Sequence, residues 1–109
     1  MKDETKKFKM MIDAEYAHAC KKHPKFVNAW FTYVPDMPSV KKALGKYRKE
    51  NSKQRTMSAY SVLNEEFLEY VEAYYKGNLK HALRELAQCG AVILRMMLML
   101  DKQMKGAKK

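Results

Sequence analysis

Glycine and proline are scarce, with four Gly and three Pro in 109 residues, grouped so that they divide the chain into helix-length pieces. That scarcity argues for an all-α domain. Cysteine is nearly absent: Cys20 and Cys89 form no close-spaced pair, which fits a reduced, cytoplasmic protein better than a disulfide scaffold. No long apolar run exists either. The longest uncharged one, Cys89 to Leu94, falls far short of the roughly 20 residues of a membrane span. The first residues, Met1-Lys2-Asp3-Glu4-Thr5-Lys6-Lys7, lead into an amphipathic stretch instead of an apolar signal core, so secretion is not expected. A glycine-rich phosphate loop is missing, since Gly45 stands alone, and no Ser/His/Asp or Cys/His arrangement supports nucleophilic catalysis. His18, Cys20 and His23 lack a fourth ligand at structural-zinc spacing.

What is present is a chain 47% apolar and 31% charged. That suits a single domain, residues 1–109, able to bury one core. Its formal net charge of +10, from 22 basic and 12 acidic residues, invites a nucleic-acid reading. The distribution argues against it. Residues 1–55 carry +8, residues 56–88 carry −2 and residues 89–109 carry +4. A basic helical module that coats polyanions would leave the acidic segment unexplained.

Four helices are predicted, over about residues 4–22, 38–51, 58–76 and 78–103. The first places Phe8, Met11, Ala14 or Glu15, and Ala19 at helical spacing and ends at Lys21-Lys22-His23-Pro24. The stretch 24–37 holds Phe26, Trp30, Phe31 and Tyr33 and reads as an aromatic loop folded over one end of the core, or as a lid over a ligand. Lys41, Lys42, Lys46, Arg48 and Lys49 give the second helix a basic outer surface. Gly77 suits a left-handed cap after the third helix, and Asn78 can cap the fourth. The tail, residues 104–109, is expected to fray. From Cys89 to Leu100 the fourth helix is apolar all round except at Arg95. Such a helix must be covered all round, so Ala91, Leu94, Leu98 and neighbouring methionines are expected to meet a partner subunit in a homodimer or homotetramer.

The third and fourth helices carry carboxylates at the edge of their apolar faces. The stripes are Leu63, Phe67, Tyr70 and Tyr74 on one, and Leu79, Leu83, Leu86, Ile93 and Met97 on the other. Glu66 is bracketed by apolar neighbours, Glu69 shares its side, and Glu85 lies on the line through Cys89, Val92 and Met96. Glu65 and Glu72 lie further toward solvent, where ion pairing such as Glu72 to Lys76 is expected. In an antiparallel hairpin Glu69, eight residues before Gly77, is level with Glu85, eight after it. Carboxylates gathered in a partly dry site repel one another unless a cation compensates, and oxygen ligands suit Mg²⁺ or Mn²⁺. Lys80 and Arg84 are nearby cations for phosphate oxygens. His81, one turn before Glu85, reads as an exposed helix histidine.

The stretch Val62-Leu63-Asn64-Glu65-Glu66-Phe67-Leu68-Glu69-Tyr70-Val71-Glu72-Ala73, with Arg84-Glu85-Leu86-Ala87-Gln88 after the turn, resembles the core of the MazG-like all-α nucleoside triphosphate pyrophosphohydrolases. That family carries ExxE on one helix and ExxD on the next. Glu66 and Glu69 match the first motif and Glu85 the second, with Gln88 where the family has aspartate. The resemblance implies a four-helix-bundle-like fold with Mg²⁺ held by Glu66, Glu69 and Glu85, and Gln88 as a weak or outer ligand. It further implies attack of water on the α-phosphate of a nucleoside triphosphate, Glu65 or Glu69 accepting the water's proton. A degenerate, non-catalytic relative is the alternative to which Gln88 points.

Overall fold

The computed structural model describes residues 3–25 and 36–107. The aromatic stretch, apart from its ends, lies outside the described residues. Four helices and no strand occur among the described residues: α1 (Lys6–Lys22), α2 (Met37–Asn51), α3 (Ala59–Tyr75) and α4 (Leu79–Ala107). The fold is all-α, as the sparse glycine and proline led one to expect. None of these helices is long and apolar enough to cross a membrane.

The helix boundaries follow from local chemistry. Asp36 caps α2 by accepting from the Ser39 amide at 2.8 Å, with Pro38 in the first turn, where its missing N–H costs nothing. Ser58 caps α3, and Ser61 reciprocates from the third helical position, completing a capping box. At the other end of α3, Gly77 takes φ 79°, and the Gly77 and Asn78 amides bond back to the Tyr74 and Ala73 carbonyls at 3.0 Å each. Asn78 then caps α4 through its side chain, which accepts from the His81 amide. The predicted fraying over 104–109 is corrected for 104–107, which are helical. An ion pair one turn apart, Lys105 to Asp101 at 3.0 Å, supports that last turn, and Lys7 of α1 reaches the same carboxylate at 3.1 Å.

The chain divides into two compact units, Met1–Val34 with Leu94–Lys109, and Pro35–Ile93. In the first, Phe8 is buried, whereas Met11, on the same predicted stripe, is 56% exposed. The second contains the core cluster Val40, Leu44, Tyr70, Val71, Ala73 and Ala82, with Met37, Leu68 and Tyr75 packed against it. Here α2 lies along α3 and the first half of α4 returns beside α3. The inward face of α4 differs from the expected leucine stripe. Leu79 and Leu83 are 63% and 70% exposed, and Ala82, Glu85 and Cys89 are buried instead. Ala73 on α3 and Ala82 on α4 are buried together in this cluster. The same rotation carries Glu85 inward.

Candidate metal centre

The return of α4 beside α3 brings three glutamates together. Glu66, Glu69 and Glu85 each offer a carboxylate oxygen, and all three oxygens lie within 4.8 Å of one another. Glu85 is only 4% exposed, and Glu66 and Glu69 are half-buried. The predicted hairpin register is therefore observed. Burial, a hydrogen bond with Glu85, and the charges of Glu85 and Glu65 push the Glu66 carboxyl up to about 7. Burial, a hydrogen bond with Glu65, and the charges of Glu85, Glu66 and Glu65 push Glu69 up to about 7 as well. Both shifts share one physical origin. Ionised oxygens are being held close in a partly dry place.

Three uncharged or half-exposed donors offset part of that repulsion. His81, one turn before Glu85 on α4, places Nε2 2.9 Å from Glu85 Oε1. Gln88 lies among carboxylate oxygens, so its amide nitrogen faces them, donating to Glu85 Oε2 at 2.9 Å and to Glu66 Oε2. Asn51, at the end of α2, donates from Nδ2 to Glu65 Oε1 at 2.8 Å. The result is a network in two hydrogen-bonded parts, Asn51 with Glu65 and Glu69, and Gln88 and His81 with Glu85 and Glu66, which meet through the charges of their carboxylates.

The expected site residues fall into three groups. Glu66, Glu69 and Glu85 converge. Glu65, expected further toward solvent, is half-buried and belongs to the network, whereas Glu72 makes the anticipated pair with Lys76 at 3.9 Å. Gln88 is close enough to serve, but it presents a donor nitrogen, so in this arrangement it acts as a clamp and not as an oxygen ligand. Lys80 and Arg84 are exposed, and no ion pair among the described residues involves either. Sequence reasoning missed Asn51, and His81 is exposed on its helix as expected but also reaches Glu85, a partner the sequence reading did not assign. The i,i+4 spacing of His81 and Glu85 was the available signal for one; nothing local marks the other.

Cys89 forms the inner wall beside the carboxylates. Burial, then the charges of Glu66 and Glu85, pushes its thiol up, so it stays neutral. Cys89 also borders a groove of about 450 Å³, lined besides by Leu63, Asn64, Phe67, Leu86, Gly90 and Ile93. A cluster of this kind can bind a hard divalent cation, and the groove that shares Cys89 with it is lined mainly by apolar side chains. Comparisons with protein-family models, curated proteins and solved structures give no match for this chain.

Proposed function

We propose that the chain is a Mg²⁺-dependent nucleotide pyrophosphohydrolase of the MazG-like type, cleaving a nucleoside triphosphate to a monophosphate and pyrophosphate. The observation that carries the reading is the convergence of Glu66, Glu69 and Glu85 within 4.8 Å, on the elements where the resemblance expected metal ligands. The donor set fits the ion. Three carboxyl oxygens, two on groups whose pKa is raised to about 7, are the hard ligands that Mg²⁺ or Mn²⁺ accepts. When bound there, the ion supplies charge that offsets the triphosphate and lowers the pKa of water.

The side chains supply the rest. Glu66, Glu69 and Glu85 hold the ion in their ionised forms. Glu65, next to them and held by Asn51, accepts the proton of the water that attacks the α-phosphorus; the bond to the bridging oxygen then breaks and pyrophosphate leaves. Lys80 and Arg84, on the first turns of α4, are long and exposed enough to swing onto phosphate oxygens. The groove bordered by Cys89 takes the apolar faces of the nucleoside. The reading is of a cytoplasmic protein, and it includes a homodimer or homotetramer because Leu79, Leu83, Met99 and Leu100 are all more than half exposed.

A second reading has its own observation. The Gln88 amide already bridges Glu66 and Glu85, which favours a relative that keeps the hairpin without catalysis. One assay separates the two: the protein is incubated with a panel of ribo- and deoxyribonucleoside triphosphates plus Mg²⁺ or Mn²⁺, and pyrophosphate is detected. Release that disappears in Glu66→Ala supports the enzyme. No release from any substrate, unchanged in Gln88→Asp, supports the non-catalytic relative.

A further inference from the structure

We propose that Asn51 is a positioning residue for Glu65, resting on the reading in which Glu65 accepts the proton of the attacking water. Asn51 is the last residue of α2 and lies 14 positions before Glu65. Its side-chain amide is committed at both ends. Nδ2 donates to Glu65 Oε1 at 2.8 Å and to the Ser61 carbonyl at 3.1 Å, while Oδ1 accepts from Ser61 Oγ at 2.6 Å. The Ser61 carbonyl can only accept, which fixes the amide nitrogen on that side, where it also faces Glu65.

Ser61 is itself immobilised. It is 1% exposed and forms half of the capping box with Ser58 at the start of α3. The connection between α2 and α3 is tied back as well, with Thr56 Oγ1 donating to the Glu50 carbonyl at 2.6 Å and the Met57 amide to the Lys53 carbonyl at 3.0 Å. Asn51 thus transmits a rigid corner of the fold to one carboxylate.

Glu65 needs such a restraint. Its side chain has three rotatable bonds and stands beside Glu66 and Glu69, and like charges would favour a rotamer turned out to water. A neutral donor opposes that rotation without withdrawing negative charge from the cluster, as a lysine or arginine would. Because it touches neither metal ligand nor phosphate, Asn51 should affect the rate of the chemical step and not substrate capture.

The test measures kcat and KM for Asn51→Ala, Asn51→Asp, Glu65→Gln and Asn51→Ala combined with Glu65→Gln, with melting temperatures alongside. Asn51→Asp keeps the bond from Ser61 and turns the donor into an acceptor facing Glu65, so it remains informative should Asn51→Ala unfold. Both single Asn51 variants are expected to lose about tenfold or more in kcat, a typical outer-partner effect, with KM within about twofold. In the Glu65→Gln background the Asn51→Ala loss should vanish. An unchanged kcat, a loss confined to KM, or a loss that persists with Glu65→Gln overturns the inference while leaving the enzyme reading intact. Wild-type protein without activity on any nucleotide removes the reading beneath it.

Discussion

His81 Nε2 lies 2.9 Å from Glu85 Oε1, one turn away on the same helix. Glu85 is 4% exposed, and its other oxygen takes the Gln88 amide. A buried carboxylate is thus held from both sides by its own helix, which fixes its orientation before any ion arrives. Replacing His81 by Ala should weaken Mn²⁺ binding, measured calorimetrically, by about 10- to 100-fold, the usual cost of losing a group that orients a metal ligand. Unchanged affinity would show that His81 only decorates the surface.

Gln88→Asp should act in opposite directions with and without metal. The amide now donates to Glu66 and Glu85, so an aspartate there adds a fourth like charge to the cluster. The chelated protein is expected to melt lower than wild type at pH 7.5, and Mg²⁺ should raise its melting temperature by more than it raises that of wild type. Equal responses to Mg²⁺ would place Gln88 outside the cation's reach.

The raised carboxyls predict a pH dependence with a definite sign. Glu66 and Glu69 are pushed from 4.5 to about 7 in the folded chain, so between those values the folded state binds more protons than the unfolded state. Stability contributed by the pair is therefore present below about pH 4.5 and is lost as pH rises through 7. In urea unfolding with chelator, wild type should lose more stability between pH 5 and pH 8 than Glu66→Gln does. Mg²⁺ at pH 8 should recover part of the difference. A Glu66→Gln protein with the same pH slope as wild type would contradict the assignment.

Leu44, on α2, is fully buried against the cluster of α3 and α4 residues. Its replacement by Ala removes three carbons from a fully buried site, and should cost about 2–5 kcal/mol in chemical denaturation. Because α2 also carries Asn51, activity should fall with stability. A loss below about 1 kcal/mol would mean that α2 is loosely docked.

Much of this architecture was legible in the sequence, and the reasons are local. Ser58, Gly77 and Asn78 mark helix ends by their own hydrogen-bonding chemistry, and the equal spacing of Glu69 and Glu85 from Gly77 gave the register of the hairpin. The face of α4 was harder. Leu79, Leu83, Leu86 and Ile93 form the strongest apolar pattern, yet all four are exposed, and Ala82, Glu85 and Cys89 are buried instead. The apolar pattern pointed to one face of the helix and the fold buries another. Asn51 was illegible for a different reason: its partner Glu65 is brought to it by the fold across a polar connection, and no sequence period relates them.

Pyrophosphate release under Mg²⁺, compared between wild type and Glu85→Gln, tests the central claim most directly. Glu85 is the most buried of the three carboxylates, and Gln keeps its shape while removing its charge. The account predicts metal-dependent release by wild type from at least one nucleoside triphosphate, abolished by chelator and reduced at least about 100-fold in the variant, the order expected for losing a group that acts on the transition state. Release that survives Glu85→Gln, or that needs no divalent ion, would contradict it.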